Sequence, residues 1–307
     1  MPIKIRNFGG PLVWVLRKYC SNFTSRIALS VTGKVREKKI NGFISDFLKT
    51  ENIPDFKFLM LETINRCNGI CAFCPANVKH ESREYKKMSE QLFEKIIDDL
   101  ADKKWEGSIF LQVNNEPFID VRILHFASKI KEKLPKCKIC LISNGTLLTC
   151  SKLEQMSTLI DELIINDYSE QYRLSSNIKE IYKYVYKNKD LFRGMKICIN
   201  RRYSGEILAT RAGNAPNKPV KNNRITSPCI YPFTDMIIFP DGKVGMCCND
   251  CREITDFGNA ETENLFDIWR NEKFKKLREA MKYGRDNYAF CKECDVVDAG
   301  SREKVIY

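Results

Sequence analysis

Glu62-Thr63-Ile64-Asn65-Arg66-Cys67-Asn68-Gly69-Ile70-Cys71-Ala72-Phe73-Cys74-Pro75 is the stretch from which this chain is read. Its three cysteines stand at C-x3-C-x2-C spacing, directly after the apolar run Phe58-Leu59-Met60-Leu61. Thiolates are the ligands of iron–sulfur clusters, and a cubane cluster has four iron corners. Three cysteines fill three of those corners and leave one iron open to a small molecule. Glycine, asparagine and proline in and around the loop let the backbone curl about such a group. On spacing alone two plainer readings stand beside it: a zinc site short of its fourth ligand, or three buried thiols.

Outward from this loop, short apolar runs alternate with helical stretches. Strands are expected near 57–63, 108–113, 138–143, 161–166 and 195–200, and helices near 89–104, 120–134, 150–159 and 176–190. Leu92, Phe93, Ile96, Ile97 and Leu100 keep helical spacing, although Ser89 opens no capping box. Such alternation implies an α/β fold with a parallel sheet and right-handed crossovers. Five units, with room for a sixth, suit a partial (βα)5–6 barrel better than a closed eightfold one. Ligands of such sheets lie at the carboxyl ends of the strands, where the cysteine loop sits.

A chain of 307 residues holds one large domain, or one medium and one small. Its 43% hydrophobic and 29% charged content are those of a soluble globular protein with a real core. Fourteen cysteines are many. Lys4 and Arg6 precede an apolar stretch that Arg17 and Lys18 break, and no small-residue cleavage site follows, so no secretory signal is read. A cytoplasmic protein is expected, with cysteines serving as metal ligands rather than disulfides. No run approaches the roughly 20 apolar residues that span a bilayer. Of the net charge of +12, residues 1–39 contribute +8, from nine Lys or Arg against the single acid Glu37. A solvated basic face, an anionic membrane surface and a phosphorylated substrate are all compatible with this. No nucleic-acid-binding motif is present, and nucleic acid is not an expected partner. Residues 1–55 read as a basic helical accessory segment. One short helix is expected from Pro11 to Tyr19 and another from Arg36 to Lys49, the latter with Ile40, Phe43, Ile44 and Phe47 on one face. Trp14 beside Arg17 and Lys18 has the composition of an interfacial membrane anchor, and packing on the main domain is the more ordinary role.

A second cysteine group begins at Cys229. Met236-Ile237-Ile238-Phe239, Pro240-Asp241-Gly242-Lys243 and Val244-Gly245-Met246 read as a hairpin, with Pro presetting φ and Gly taking φ > 0. Cys247, Cys248 and Cys251 follow it. A helix is expected near 263–281 through Leu265, Ile268, Trp269, Phe274, Leu277 and Met281, before Cys291-Lys292-Glu293-Cys294. Zinc ribbons use similar parts. His80 and His125 are the only histidines, which argues against a His-rich metal site.

The C-x3-C-x2-C loop resembles the signature of the radical S-adenosylmethionine (radical SAM) superfamily. The resemblance implies a 4Fe-4S cluster on Cys67, Cys71 and Cys74. Its open iron would chelate SAM, and one-electron cleavage would release a 5′-deoxyadenosyl radical. Phe73 would be the aromatic residue customary before the third cysteine. Asn114-Asn115-Glu116-Pro117 resembles, in part, the family's Gly-Gly-Glu-Pro turn, with Asn115 in place of the second glycine and Glu116 holding the amino group of SAM. Ser143-Asn144-Gly145 resembles the turn near the ribose and methionine carboxylate, and Asp167 would face the same cavity. Thr210-Arg211-Ala212-Gly213-Asn214 resembles a turn of sugar- and cyclitol-modifying members, in which the arginine meets a substrate hydroxyl and favours its deprotonation.

Cys229-x12-Gly242-x4-Cys247, with Asp250, Gly258-Asn259 and Leu265-Phe266-Asp267-Ile268-Trp269, resembles the opening of the SPASM extension. No cysteine follows Cys294, so the resemblance is to the shorter "twitch" form, a small α+β domain. It implies one auxiliary 4Fe-4S cluster on Cys229, Cys247, Cys291 and Cys294. Cys248 and Cys251 are left over, either packed or donating a hydrogen atom to a substrate radical. A radical SAM partial barrel over 56–215 and a twitch domain over 216–307 are expected. The pattern is similar to butirosin-type aminocyclitol dehydrogenases, which implies oxidation of a sugar or cyclitol alcohol to a ketone, with the auxiliary cluster accepting an electron. The similar neomycin-type epimerases imply the alternative, a radical quenched by Cys248 or Cys251. Peptide modification, common among SPASM enzymes, usually goes with a recognition domain for which residues 1–50 are short and basic. A flavodoxin- or ferredoxin-type reductant is implied, and the basic N-terminus favours a phosphorylated or nucleotide-linked substrate. A non-catalytic iron–sulfur or zinc scaffold would neither bind nor cleave SAM.

Overall fold

The apolar runs form strands because their β-branched and large side chains fill both faces of a covered sheet. The computed structural model describes residues 3–7, 24–171, 173–220 and 227–296. Its strands are β1 Ile3–Asn7, β2 Phe58–Leu61, β3 Ser108–Phe110, β4 Lys138–Ser143, β5 Glu162–Ser169, β6 Lys196–Tyr203, β7 Asp235–Ile238 and β8 Val244–Gly245. They make one open sheet in the order β1-β6-β5-β4-β3-β2-β7-β8. All neighbours are parallel except the β7–β8 hairpin. The helices preceding β7 are α1 Thr24–Lys49, α2 Glu90–Asp102, α3 Ile123–Lys133, α4 Cys150–Met156, α5 Ser176–Lys187 and the single turn α6 Tyr231–Thr234.

Alternation along the strands divides the core. Leu59, Leu61, Ile109, Leu111, Ile139 and Leu141 join the large core under the helices, while Phe58, Met60, Phe110, Cys140, Ile237 and Phe239 form a smaller core on the opposite face. α2 buries the apolar row read from its spacing, and Phe93 stacks on Phe126 of α3 with ring centroids 4.0 Å apart. Ser89 does cap α2, its Oγ accepting from the Leu92 N–H at 3.0 Å, with no reciprocal acid three residues on.

Three features differ from the sequence reading. β1, inside the segment read as helical, adds a parallel strand at the edge of the sheet through β6, with Ile3 turned into the core. α1 starts at Thr24 rather than near Arg36, and it buries Ile40, Ile44 and Phe47. The expected helix over 263–281 is two, α7 Leu265–Arg270 and α8 Glu272–Lys282. Asn271 ends the first, and its Oδ1 accepts from the Phe274 N–H at 3.0 Å to start the second. The helix read over Pro11–Tyr19 and the anchor at Trp14, Arg17 and Lys18 lie outside the described residues. Among the described residues no helix is long and apolar enough to cross a membrane.

The C-terminal module is joined to the sheet. β7 pairs with β2, and its hairpin turns at Gly242 with φ +81°. Phe56 stacks on Phe266 at 5.4 Å, and the Trp269 indole donates to the Pro54 carbonyl at 2.9 Å. Arg83 pairs with Glu62 (3.0 Å), Glu81 (2.8 Å) and Glu253 (2.9 Å), tying both modules through buried charge.

Candidate functional site

The loop after β2 is held by its own polar residues. Asn65 donates from Nδ2 to the Glu84 carbonyl (2.7 Å) and accepts at Oδ1 from the Lys86 N–H (2.8 Å). Within the loop the Gly69 N–H reaches Cys67 Sγ at 3.3 Å, the Cys74 N–H donates to the Cys71 carbonyl at 3.0 Å, and Asn77 Nδ2 donates to that carbonyl at 2.7 Å. A Cβ on Gly69 would lie 3.3 Å from Cys67 Sγ and 3.7 Å from Cys71 Sγ, so a side chain here would enter the space between the two thiols. Burial pushes the Cys67 thiol up to about 11 and the Cys71 thiol up to about 12, and neighbouring thiols add to both. The resistance of Cys67 and Cys71 to ionisation fits a ligand that supplies compensating positive charge, as cluster irons do. Among the described residues no three His, Cys, Asp or Glu side chains converge on a single metal ion. A cubane binds each thiolate at a separate iron and requires no such convergence.

The ends of β3, β4 and β5 surround this loop. Glu116 is buried, and both its carboxylate oxygens are engaged by the protein: Oε1 accepts from Ser143 Oγ (2.7 Å) and the Phe118 N–H (3.3 Å), and Oε2 from the Asn144 N–H (2.8 Å). In this structure Glu116 couples the β3 and β4 turns. Asn144 Nδ2 donates to Asn68 Oδ1 at 2.8 Å, linking the β4 turn to the cysteine loop. Asn115 Oδ1 accepts from the Val113 N–H at 3.0 Å. The Asn115 and Asn114 Nδ2 groups and both amide atoms of Gln112 are buried without a protein partner, which leaves hydrogen-bonding capacity for a ligand at this strand end. Phe73 is buried against Tyr168, with centroids 5.5 Å apart. Asp167 accepts at Oδ2 from the Ser175 N–H at 2.8 Å, and burial raises its carboxyl pKa. A cleft of about 450 Å³ opens between Asn68, Cys71, Asn144, Asp167 and Tyr168.

Arg211 enters from a strained turn. Arg211, Ala212 and Gly213 all have positive φ (+52°, +51° and +84°), a conformation costly for the first two. The turn is tied to the second cysteine group: the Thr210 N–H donates to Asp295 Oδ1 at 2.7 Å, and Thr210 Oγ1 donates to the Glu293 carbonyl at 2.5 Å. Arg211 Nη1 reaches Asn114 Oδ1 (3.4 Å), the Cys248 carbonyl (3.3 Å) and Cys251 Sγ (3.9 Å), and Cys251 Sγ meets Asn114 Oδ1 at 3.3 Å. Burial disfavours the Arg211 charge, but Cys251, Cys74, Cys248 and Tyr168 outweigh it and hold the guanidinium protonated. Burial raises the Cys251 thiol to about 12 despite Arg211.

The six cysteines of the second group divide. Cys229, Cys247, Cys291 and Cys294 line one cavity with Met246 and Arg285. Cys251 lies at Arg211, and Cys248 packs on the smaller core of the sheet. Burial and the neighbouring thiols push Cys229 up to about 11 and Cys247 and Cys291 well above their usual range, so this donor set also fits a cluster.

Sequence reasoning passed over Asn114, Arg83 and Arg285, and it missed the inward-facing pair in which Asn200 Nδ2 donates to Asn166 Oδ1 at 2.9 Å. For Asn200 the signal was available: Ile197 and Ile199 join the large core, so two-residue alternation turns Asn200 to the other face. Two stretches of the chain match known families. Residues 61–203 match the radical SAM superfamily, and residues 229–295 match SPASM, an iron–sulfur cluster-binding domain. The S-adenosyl-L-methionine-dependent 2-deoxy-scyllo-inosamine dehydrogenase of Niallia circulans is 24% identical over 254 residues, covering 82% of this chain and 98% of that protein. The crystal structure of BtrN in complex with AdoMet and 2-DOIA has a TM-score of 0.70 at 23% identity, covering 83% of this chain and 98% of that one. BtrN in an open conformation gives 0.59 at 21% identity, covering 83% and 99%. The two structural likenesses show a shared fold. The chain is a radical SAM protein, of the family that uses SAM and a 4Fe-4S cluster, with a C-terminal SPASM iron–sulfur cluster-binding domain.

Proposed function

We propose that this chain oxidises a hydroxyl-bearing carbon of a cyclitol or sugar to a ketone. Cys67, Cys71 and Cys74 hold the SAM-binding cluster, and Cys229, Cys247, Cys291 and Cys294 hold one auxiliary 4Fe-4S cluster. The observation that carries this reading is the place of Arg211: a half-buried cation at Asn114 and Cys251, on a turn anchored beside Cys294. Bound in these positions, SAM and its cluster supply a hydrogen-abstracting 5′-deoxyadenosyl radical, and a four-thiolate cluster supplies an electron acceptor.

The residues of the chain do the positioning. Arg211 is a permanent donor that cannot take up a proton, so it binds a substrate hydroxyl and stabilises the alkoxide left when that proton passes to solvent water. Gln112 and Asn114 offer unpaired amide groups for further hydroxyl or amino groups. Asn68 and Asn144 hold the β4 turn against the cysteine loop, and Phe73 against Tyr168 closes the loop side. A cyclitol substrate agrees with the dehydrogenase to which the chain is similar over most of its length. The excess of Lys and Arg in residues 1–39 favours a substrate carrying phosphate or nucleotide. A flavodoxin- or ferredoxin-type protein in a reducing cytoplasm would supply electrons.

The Cys251 thiol beside Arg211 supports one second reading, epimerisation with a thiol hydrogen quenching the substrate radical. Anaerobic incubation with SAM, dithionite and 2-deoxy-scyllo-inosamine, alongside phosphorylated and nucleotide-linked sugars, in deuterated water separates the two. Ketone formed together with 5′-deoxyadenosine supports dehydrogenation. A product of unchanged composition carrying one solvent deuterium means epimerisation, and a protein that never cleaves SAM defeats both.

A further inference from the structure

Arg285 is 3% exposed and stands in the wall of the four-cysteine cavity. Its Nε donates to the Ser227 carbonyl at 2.8 Å, its Nη1 to the Val296 carbonyl at 2.7 Å and its Nη2 to the Pro228 carbonyl at 3.2 Å. Nη1 also reaches Cys294 Sγ at 3.9 Å. Among the described residues its partners are three carbonyls and a thiol, with no carboxylate among them. Arg83 has three carboxylates, and Arg278, which meets only the Pro232 and Trp269 carbonyls, lies over the Phe47, Trp269 and Phe274 rings. A buried guanidinium that has, among the described residues, neither a carboxylate nor an aromatic face is costly, and it points to an anion at the site. The acceptors also fall at telling places. Ser227 and Pro228 precede Cys229, and Val296 follows Cys294, so one side chain grips the segment entering the cavity and the segment leaving it.

We propose that Arg285 is the fixed counter-charge of the auxiliary cluster and raises its reduction potential, which suits this centre to accept an electron. The inference rests on the four-cysteine assignment made above. When the cluster accepts one electron, no bond is made or broken and its negative charge rises by one. A cation beside Cys294 stabilises that reduced state more than the oxidised one, and removing the cation favours the oxidised state.

The test reads potential rather than turnover. The full chain carrying Cys67→Ala, Cys71→Ala and Cys74→Ala is reconstituted anaerobically, so that only the auxiliary cluster reports. It is then titrated electrochemically with the reduced cluster followed by electron paramagnetic resonance. With Arg285→Gln, iron content holds while the reduced-to-oxidised ratio at a set potential falls at least tenfold, a shift of about 59 mV for a one-electron couple. Arg285→Lys keeps the charge but cannot grip three carbonyls, and its ratio stays within about threefold of the parent by the same relation. An unchanged potential in an iron-replete Arg285→Gln overturns the proposal. So do equal shifts in both variants, or loss of iron from both, because each marks Arg285 as a backbone clip alone. A parent that holds no iron defeats the four-cysteine assignment and this role with it, an outcome distinct from an unchanged potential.

Discussion

Replacing Arg83 with methionine tests the charge that joins the two modules. The guanidinium is 4% exposed and pairs with Glu62, which is 0% exposed, and with Glu253, at 6%. Removing one partner of a buried pair costs about 3–5 kcal/mol, because the remaining charge loses its compensation. Glu62 limits that loss by taking up a proton. Burial already raises its carboxyl from 4.5 to about 7, with Arg83 opposing the rise and Glu253 adding to it. A carboxyl raised in the folded state contributes stability that is full below the unfolded value of 4.5 and is lost as pH rises through about 7. The whole of that window corresponds to roughly 3 kcal/mol. Without Arg83 the carboxyl rises further, so Arg83→Met should cost the full 3–5 kcal/mol near about pH 8 and on the order of 1–2 kcal/mol less near about pH 6. Urea unfolding followed by tryptophan fluorescence measures this, with Glu62→Gln as the second arm of a double-mutant cycle. Glu62→Gln mimics the protonated acid and should remove most of the pH dependence. A cost under about 1 kcal/mol at the higher pH, or a larger cost at the lower one, would refute the reasoning.

Two further expectations concern the site itself. Gly145 has φ +78°, and a Cβ there would lie 2.6 Å from Ile178 Cδ1 and 2.8 Å from Ile165 Cγ2. Gly145→Ala should therefore destabilise by about 1–3 kcal/mol in thermal unfolding, and an unchanged midpoint would contradict the strain argument. Arg211→Met should lower kcat for product by about a hundredfold while leaving iron content unchanged, with Arg211→Lys recovering part of the loss. A rise in KM alone would reduce Arg211 to a binding contact.

Much of the fold was readable because its signals are local. The β2–β6 runs are apolar and flanked by helical spacing, and the β7–β8 hairpin carries a glycine where φ must be positive. β1 was not readable, since Ile3-Lys4-Ile5-Arg6-Asn7 is short and its partner β6 lies most of the barrel module away. The β2–β7 pairing is likewise a long-range closure that no window of residues announces. Asn271 divided one apolar helical pattern into two because its side chain competes for a backbone N–H, a choice that periodicity does not register. At the site, the seven cysteines proposed as cluster ligands and Arg211 stood out because their motifs resemble those of radical SAM enzymes. Arg83, Glu62 and Arg285 carry no local signal in the sequence, and only the tertiary structure shows that their side chains are buried. Glu116 shows the opposite limit. Its position at a strand end was legible, but the engagement of both its carboxylate oxygens by Ser143, Phe118 and Asn144 was not.

Iron and sulfide analysis with Mössbauer spectra after anaerobic reconstitution tests the central claim most directly. The wild-type chain is compared with the Cys67→Ala/Cys71→Ala/Cys74→Ala variant. Two clusters predict about eight irons in the wild type and about four in the variant, all in the spectrum of 4Fe-4S centres. About four irons that vanish entirely in the variant, with zinc on the remaining cysteines, would contradict the account and leave the second module a structural metal site.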